Sequence, residues 1–311
     1  MTFKLFIDGA AGTTGLEIRE RLADRADIEF VTIANDRRKD PAARAEALNR
    51  ADAVILCLPD AAAREAVALI DNDRTKVIDA STAHRTAAGW AYGFPELNPD
   101  SPALLKASTR ISNPGCYPTG FLALVRPLVR EGILPADLPV SVNATSGYSG
   151  GGKAMIAAFE QADAPGATDT GFRIYGLSLN HKHVPEMQTH SGLAHPPIFQ
   201  PAVARSYRGM IVEVPVHLHL LDATVSQVRD ALAAAYAGSR VVTVNREERD
   251  TLTLEQCAGT DRLELFVFGN EAQGQVRLVA ALDNLGKGAA GAAVQNLNIA
   301  MGLDETLGLR L

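Results

Sequence analysis

The stretch FKLFIDGAAGTTGLEIRERL, residues 3–22, decides the fold. Its first six residues form a short apolar run that reads as a strand. A glycine-rich turn follows, and residues 14–26 (TGLEIRERLADRA) read as a helix. Gly9, Gly12 and Gly15 fall three apart. Glycine tolerates positive φ and lets a ligand approach the backbone closely. A helix that begins straight after such a turn presents open N–H groups and a positive dipole end to a pyrophosphate. Strand, GxxGxxG turn and helix in this order predict a dinucleotide loop, with Gly9, Gly12, Thr13, Thr14 and Gly15 as its contacts.

Outward from this unit the pattern repeats. EFVTIA (29–34), DAVILCLP (52–59) and KVIDAS (76–81) are short runs rich in Val and Ile, and DAAAREAVALI (60–70) is helix-like. Strands alternating with helices imply a parallel sheet with right-handed crossovers. The second strand runs into TIANDRRKD. An NAD site places an acidic residue there for the ribose 2′-hydroxyl, and Asp36 is available. Arg37, Arg38 and Lys39 instead supply three adjacent cations suited to a 2′-phosphate, so NADP is the favoured cofactor, held by Arg37 and Arg38.

Near residue 115 the character changes. IVEVPVHLHL (211–220) alternates, with Val212, Val214, Val216, Leu218 and Leu220 on one face and Glu213, His217 and His219 on the other. Half-buried antiparallel strands have this pattern. LPVSVNAT (138–145), LELFVF (263–268) and VRLVAALD (276–283) are further strand candidates. Residues 223–238 read as a helix stopped by Gly238, and 287–303 as another. The expected fold class is α/β: a Rossmann-type nucleotide-binding domain joined to an α+β domain with a mostly antiparallel sheet.

The 311 residues are 47% hydrophobic and 21% charged, with a formal net charge of -6, which argues against general nucleic-acid binding. No apolar run reaches the ~18 residues of a membrane span, and no secretory signal opens the chain, so a cytoplasmic setting is expected. Three cysteines cannot all pair within the chain, and a reducing compartment leaves thiols available for chemistry. No metal is expected, because neither Cys-x-x-Cys nor His-Glu-x-x-His occurs.

SNPGCYPTG (112–120) sets Cys116 in a Pro/Gly-rich boundary just before the apolar, helix-like run 119–130. A helix dipole stabilises a thiolate at its N-terminus, and Pro118 and Thr119 suit a first turn, Thr119 as a cap. Cys57, inside a strand, reads as a buried structural thiol. A thiol nucleophile needs a proton-transfer partner. NHKHVPEM (180–187) offers His181 and His183 in a loop-like stretch, and spacing does not separate them.

These pieces together resemble the N-acetyl-γ-glutamyl-phosphate reductases, relatives of aspartate-semialdehyde dehydrogenase. SNPGCYPTG is similar to that family's active-site signature. VIDASTAHR (77–85), YGFPELN (92–98), SGYSGGGK (146–153), NHKHVPEM and DNLGKGAAGAAVQNLN (283–298) match further family segments in the same order. The compact length is similar to the shorter of two subfamilies. Lys153 stands where many relatives carry arginine, which keeps the charge and loses the planar fork.

The resemblance implies a domain of residues 1–115 with 285–311 for NADP, and a domain of 116–284 for catalysis and assembly as a homodimer or homotetramer. It implies a small acyl-phosphate substrate and a thioester on Cys116, with His183 as acid/base and His181 as its rival. It also implies Ser81, Lys287, Gly288 and Asn296 beside the cofactor, and Arg85, Glu96, Ser146, Gly147 and Lys153 beside the substrate. An aspartate-semialdehyde-type reductase and a non-catalytic nucleotide sensor are the alternative functions.

Overall fold

The computed structural model describes residues 2–38 and 40–311. Lys39, one of the three cations expected at the cofactor, lies outside the described residues. The chain divides into two compact units, the first comprising residues 1–95, 100–114 and 289–309, the second residues 96–99, 115–288 and 310–311.

The first unit opens with β1 (Phe3–Asp8), α1 (Thr13–Leu22) and β2 (Ile28–Val31). It continues with α2 (Pro41–Arg50), β3 (Ala53–Leu56), α3 (Asp60–Ala68) and β4 (Lys76–Asp79). The two-residue β5 (Ala91–Tyr92), α4 (Ser101–Ala107) and β6 (Arg110–Ser112) complete its N-terminal part. The six strands form one sheet in the order β2-β1-β3-β4-β6-β5, and every pairing is parallel. Both faces are covered. Leu5, Ile7, Ile55 and Ile78 pack with Ile18, Leu22 and Leu105 on one side; Phe6, Val54, Leu56 and Val77 pack with Leu48, Ala63 and Ala66 on the other. This two-sided burial is why β1, β3 and β4 read as continuous apolar runs rather than alternating ones.

Helix α2 was not visible as apolar periodicity; its start is chemical. Asp40 caps it, Oδ1 accepting from the N–H of Ala42 (2.9 Å) and Ala43 (3.4 Å), and Pro41 occupies the first turn.

The second unit starts with α5 (Cys116–Arg130) and continues with β7 (Ser141–Gly147), α6 (Gly152–Glu160), β8 (Phe172–Ile174) and α7 (Val184–Ser191). Then come β9 (Ile198–Ala204), β10 (Met210–His217), α8 (Val225–Ala235), β11 (Val242–Val244), β12 (Leu263–Asn270) and β13 (Gln275–Leu282). Its seven strands run β11-β12-β13-β10-β7-β9-β8. Four pairings are antiparallel (β10–β13, β10–β7, β12–β13, β8–β9), while β7–β9 and β11–β12 are parallel, so the sheet is mixed with an antiparallel majority. Helix α5 is buried along most of its length and packs on β10 and β13. The chain then returns to the first unit as α9 (Gly291–Ala300), whose Ala293, Val294 and Leu297 complete the core beside β1 and β4.

The alternation of residues 211–220 breaks two-thirds of the way along. The strand ends at His217, a short 3-10 turn takes Leu218–Leu220, and Leu220 is exposed. The helix predicted over 287–303 is shorter, because residues Gly286–Ala290 form a π-turn ahead of α9. No helix among the described residues is long and apolar enough to cross a membrane.

Candidate active site

In the second unit Cys116 is the first residue of α5. Gly115 is the N-cap, no side chain caps the helix, and its first turn carries no acidic residue. Thr119 is not the cap. Its hydroxyl instead donates back to the carbonyl of Gly115 at 2.9 Å. The acceptor at this helix start is Glu186 of α7, a buried carboxylate whose Oε1 takes the Gly115 N–H at 2.8 Å. Sequence spacing gave no sign of that role, since the two residues are 71 apart.

Helix α7 also carries His183, its N-cap, and the loop before it carries His181. The two rings lie 4.7 Å apart, and both touch Tyr117, the neighbour of Cys116, at 5.9 Å (His183) and 6.4 Å (His181). His181 sits in an aromatic cage with Tyr175 and Phe199, at 5.9 and 5.0 Å. Its Nδ1 accepts the backbone N–H of His183 at 3.2 Å. Burial, reinforced by the charge of Lys182, holds its pKa below the usual 6.5, so His181 stays neutral in the neutral range. Two phenols close the group. Tyr117 donates to the carbonyl of Ala202 (3.1 Å), and Tyr175 donates to Tyr117 (3.0 Å). Burial pushes Tyr117 well above its ordinary value and Tyr175 to about 12, and the charge of Cys116 adds to both.

Gly288 lies against the nucleophile. A Cβ there would sit 2.9 Å from the Cys116 Cβ and 2.9 Å from the carbonyl of Asp283, so only glycine fits. Ser146 is buried at the end of β7, its hydroxyl on the carbonyl of Gly147 (2.9 Å). Gly147 packs against the backbone of Arg208. Lys153 is exposed on α6.

Glu96 and Lys287 are brought together: Nζ to Oε2 is 2.8 Å, with side chains 9% and 2% exposed respectively. Removing one member of such a buried pair is far costlier than removing both. Lys287→Met, which takes the ammonium away from the buried Glu96 carboxylate, is expected to cost about 3–5 kcal/mol in urea unfolding. Adding Glu96→Gln should recover much of the loss. A single substitution as harmless as the double one would show that the pair is not held in the interior.

In the first unit the glycine loop has the geometry its sequence implies. Gly9 has φ +86° and a Cβ there would lie 2.2 Å from the carbonyl oxygen of Cys57. The N–H of Gly12 turns back to the carbonyl of Gly9 at 2.9 Å. Gly12 is the N-cap of α1, no side chain caps it, and Thr13, Thr14 and Gly15 form the first turn. That open helix start suits a pyrophosphate. Beside it lies a cavity of about 410 Å³ walled by Gly9, Ala10, Phe30, Ile33, Leu58, Arg19 and Arg38, among others. Asp36 and Arg37 are exposed and are not on its wall. Arg37 is committed to Asp40, Nη2 to Oδ2 at 3.0 Å. Asp8, at the end of β1, is held by Arg44 of α2 at 2.9 Å. Cys57 lies one residue beyond β3 rather than inside it, and burial, with the charges of Asp79 and Asp8, pushes its thiol up to about 12.

Asp79 organises the segment after β4. Its carboxylate takes the Ser81 N–H (2.9 Å) and hydroxyl (2.7 Å) and contacts His84 Nδ1 (2.6 Å), whose ring stacks on Trp90 at 4.0 Å. Arg85 is buried and donates to the carbonyls of Asn113 (2.9 Å) and Ala80 (3.2 Å). Asn296 of α9 donates to the carbonyl of Gly93 (2.8 Å) and to Asn113 Oδ1 (2.9 Å). Its own Oδ1 is buried with no hydrogen-bond partner among the described residues. A buried acceptor left open in this way suits a donor from a bound molecule, such as the amide of a nicotinamide. Open helix start, cavity and open acceptor together fit a nicotinamide dinucleotide.

Two family models cover most of the chain: the semialdehyde dehydrogenase NAD-binding domain matches residues 4–104, and the semialdehyde dehydrogenase dimerisation domain matches residues 116–284. Among curated proteins, N-acetyl-γ-glutamyl-phosphate reductase 2 of Nostoc sp. is 52% identical over 318 aligned positions, covering 98% of this chain and 99% of its own. The N-acetyl-γ-glutamyl-phosphate reductase of Burkholderia cenocepacia is 51% identical, covering 96% and 97%. Among solved structures, aspartate semialdehyde dehydrogenase II of Vibrio cholerae shares the fold at a TM-score of 0.73 and 16% identity, covering 97% of this chain and 99% of its own. Aspartate semialdehyde dehydrogenase of Francisella tularensis does so at 0.70 and 14%, covering 96% and 100%. With this identity along almost its whole length, the chain belongs to the N-acetyl-γ-glutamyl-phosphate reductases of the semialdehyde dehydrogenase family.

Proposed function

We propose that the chain reduces N-acetyl-γ-glutamyl phosphate to N-acetylglutamate semialdehyde and inorganic phosphate with NADPH, a step of arginine biosynthesis. The observation that carries this reading is the nucleophile's setting: Cys116 opens α5, with both histidines against the next residue. In the reading the nucleotide domain is residues 1–115 with 285–311, and residues 116–284 carry catalysis and the contacts of a homodimer or homotetramer. None of the three cysteines is in a disulfide, which suits a reducing cytoplasm.

The thiol of Cys116 gives its proton to His183 and attacks the γ-carbonyl carbon. The C–S bond forms, the C–O bond to phosphate breaks, and the proton leaves with the phosphate. Bound NADPH supplies the hydride that reduces the thioester. His183 takes up a proton from solvent and donates it in the reduction, and this proton ends on the Cys116 sulfur when the aldehyde departs. The oxyanion is assigned to backbone N–H groups at the start of α5; Pro118 has none to offer, and that of Thr119 goes to the carbonyl of Gly115 at 2.9 Å. Arg85 serves the leaving phosphate, Ser81 the cofactor, and Glu96, Ser146, Gly147 and Lys153 the rest of the substrate. Lys287, Gly288 and Asn296 serve the nicotinamide side.

NADP is favoured over NAD because Arg38 faces the cavity beside the glycine loop while Asp36 does not. One assay tests the whole reading. With phosphate and NADP, N-acetylglutamate semialdehyde should be oxidised with rising absorbance at the reduced-nicotinamide band, and aspartate semialdehyde at a small fraction of that rate. Equal rates, or preference for aspartate semialdehyde, would remove the substrate assignment.

A further inference from the structure

Among the described residues, the cavity beside the glycine loop carries two cations on its wall, Arg19 of α1 and Arg38 after β2. The neighbouring arginines are already neutralised. Arg21 is paired with Glu17 at 2.7 Å, Arg25 with Asp27 at 2.6 Å, Arg37 with Asp40 at 3.0 Å and Arg44 with Asp8 at 2.9 Å. Among the described residues no carboxylate pairs with Arg19 or Arg38. Asp8 also lines the cavity, but Arg44 gives both its Nε and its Nη2 to one oxygen of that carboxylate, at 3.2 and 2.9 Å. Among the described lining residues, the one acidic side chain is thus compensated from outside the cavity, and the two uncompensated charges are positive.

The rest of the wall fits a nucleoside. Phe30, Val31, Ile33 and Leu58 are apolar, and the Gly9–Ala11 backbone leads to the open start of α1. A phosphate monoester carries close to two negative charges at neutral pH, and arginine matches its oxygens with a planar fork.

We infer that the 2′-phosphate of the adenosine ribose is held between Arg19 and Arg38, and that Arg37 takes no part. The inference rests on the NADP reading above and deepens it. It replaces the pair of adjacent arginines that the sequence suggests with two residues 19 apart in the chain, on different elements. Asp40 explains the substitution: its Oδ1 caps α2 while its Oδ2 takes Arg37, so the cap and the ion pair hold Arg37 away from the cavity.

The test is calorimetric titration of the full-length protein with 2′,5′-ADP and with ADP, which reads binding without turnover. The wild type should bind 2′,5′-ADP at least about tenfold more tightly than ADP, as expected for charge-assisted phosphate contacts. Arg19→Ala and Arg38→Ala should each shrink that ratio about tenfold while leaving ADP affinity within about twofold, which also reports an intact site. Arg37→Ala should leave the ratio unchanged. If the wild type shows no preference, the NADP reading fails. If it does prefer 2′,5′-ADP and Arg19→Ala keeps the ratio, or Arg37→Ala lowers it as far as Arg38→Ala does, the NADP reading stands and this inference is overturned.

Discussion

Cys116→Ser is expected to lower kcat by at least about 10³-fold while the protein keeps its unfolding midpoint. The hydroxyl is a far weaker nucleophile than a thiolate, and an oxygen ester is a poorer acceptor of hydride than a thioester. The three thiols give an independent readout. Burial pushes Cys57 and Cys257 up to about 12, helped at Cys57 by Asp79 and Asp8 and at Cys257 by Glu264. At pH 8 a thiol with that pKa is thiolate in only about one molecule in 10⁴. Cys57 and Cys116 are both partly exposed, but only Cys116 stands at the start of a helix, α5, where the dipole favours the anion. Iodoacetamide at pH 8 should therefore modify one site, and peptide mapping should find it at Cys116. Labelling of Cys57 at a comparable rate, or a Cys116→Ser protein with a tenth or more of wild-type activity, would defeat the covalent mechanism.

What could be read from the chain followed burial. β1, β3 and β4 are covered on both faces, and their unbroken apolar runs announced a parallel sheet. β10 was found through its alternation, but the pattern could not say that the backbone would turn into a 3-10 segment after His217, since Leu218 and Leu220 keep the spacing. Apolar periodicity does not reveal helix α7, because VPEMQTHS has little of it; the helix is anchored by the buried Met187 and Glu186. Nor does it reveal β8, because its three residues include two exposed apolar ones, Phe172 and Ile174, on an edge strand.

At the candidate site the local chemistry was legible: the thiol at a helix start, the glycine turn, the histidine pair. Partners distant in sequence were not. Glu186 on Gly115, Arg44 on Asp8 and Asn296 on Asn113 are 71, 36 and 183 residues apart, and no periodicity encodes such pairings. The charge run at 36–39 was legible as charge only. Which of its arginines faces the cavity depends on Asp40, whose capping role belongs to a helix that the apolar pattern does not reveal.

The two histidines differ in a way that spacing could not show, and their variants should differ as much. His183→Gln is expected to lower kcat by about 10²–10⁴-fold, the usual worth of a positioned acid/base, and to erase the limb of the pH–rate profile that this acid/base sets. His181→Asn should cost less than about tenfold in kcat, because a side chain that resists protonation in the neutral range is a poor proton donor there. Asparagine is the chosen replacement because its Oδ1 can take over the His183 N–H that His181 Nδ1 accepts. Stability supplies a second signature. The folded pKa of His181 is depressed below 6.5, so at lower pH the unfolded chain binds the proton that the folded protein resists. Its contribution is complete above about pH 6.5 and is lost as the pH falls towards the folded value. Relative to wild type, His181→Asn should therefore flatten the decline of the unfolding midpoint between about pH 6.5 and pH 5. Superimposable midpoint curves would contradict a neutral, caged His181. A kcat loss in His181→Asn as large as that in His183→Gln, with the profile limb surviving in the latter, would exchange the roles of the two residues.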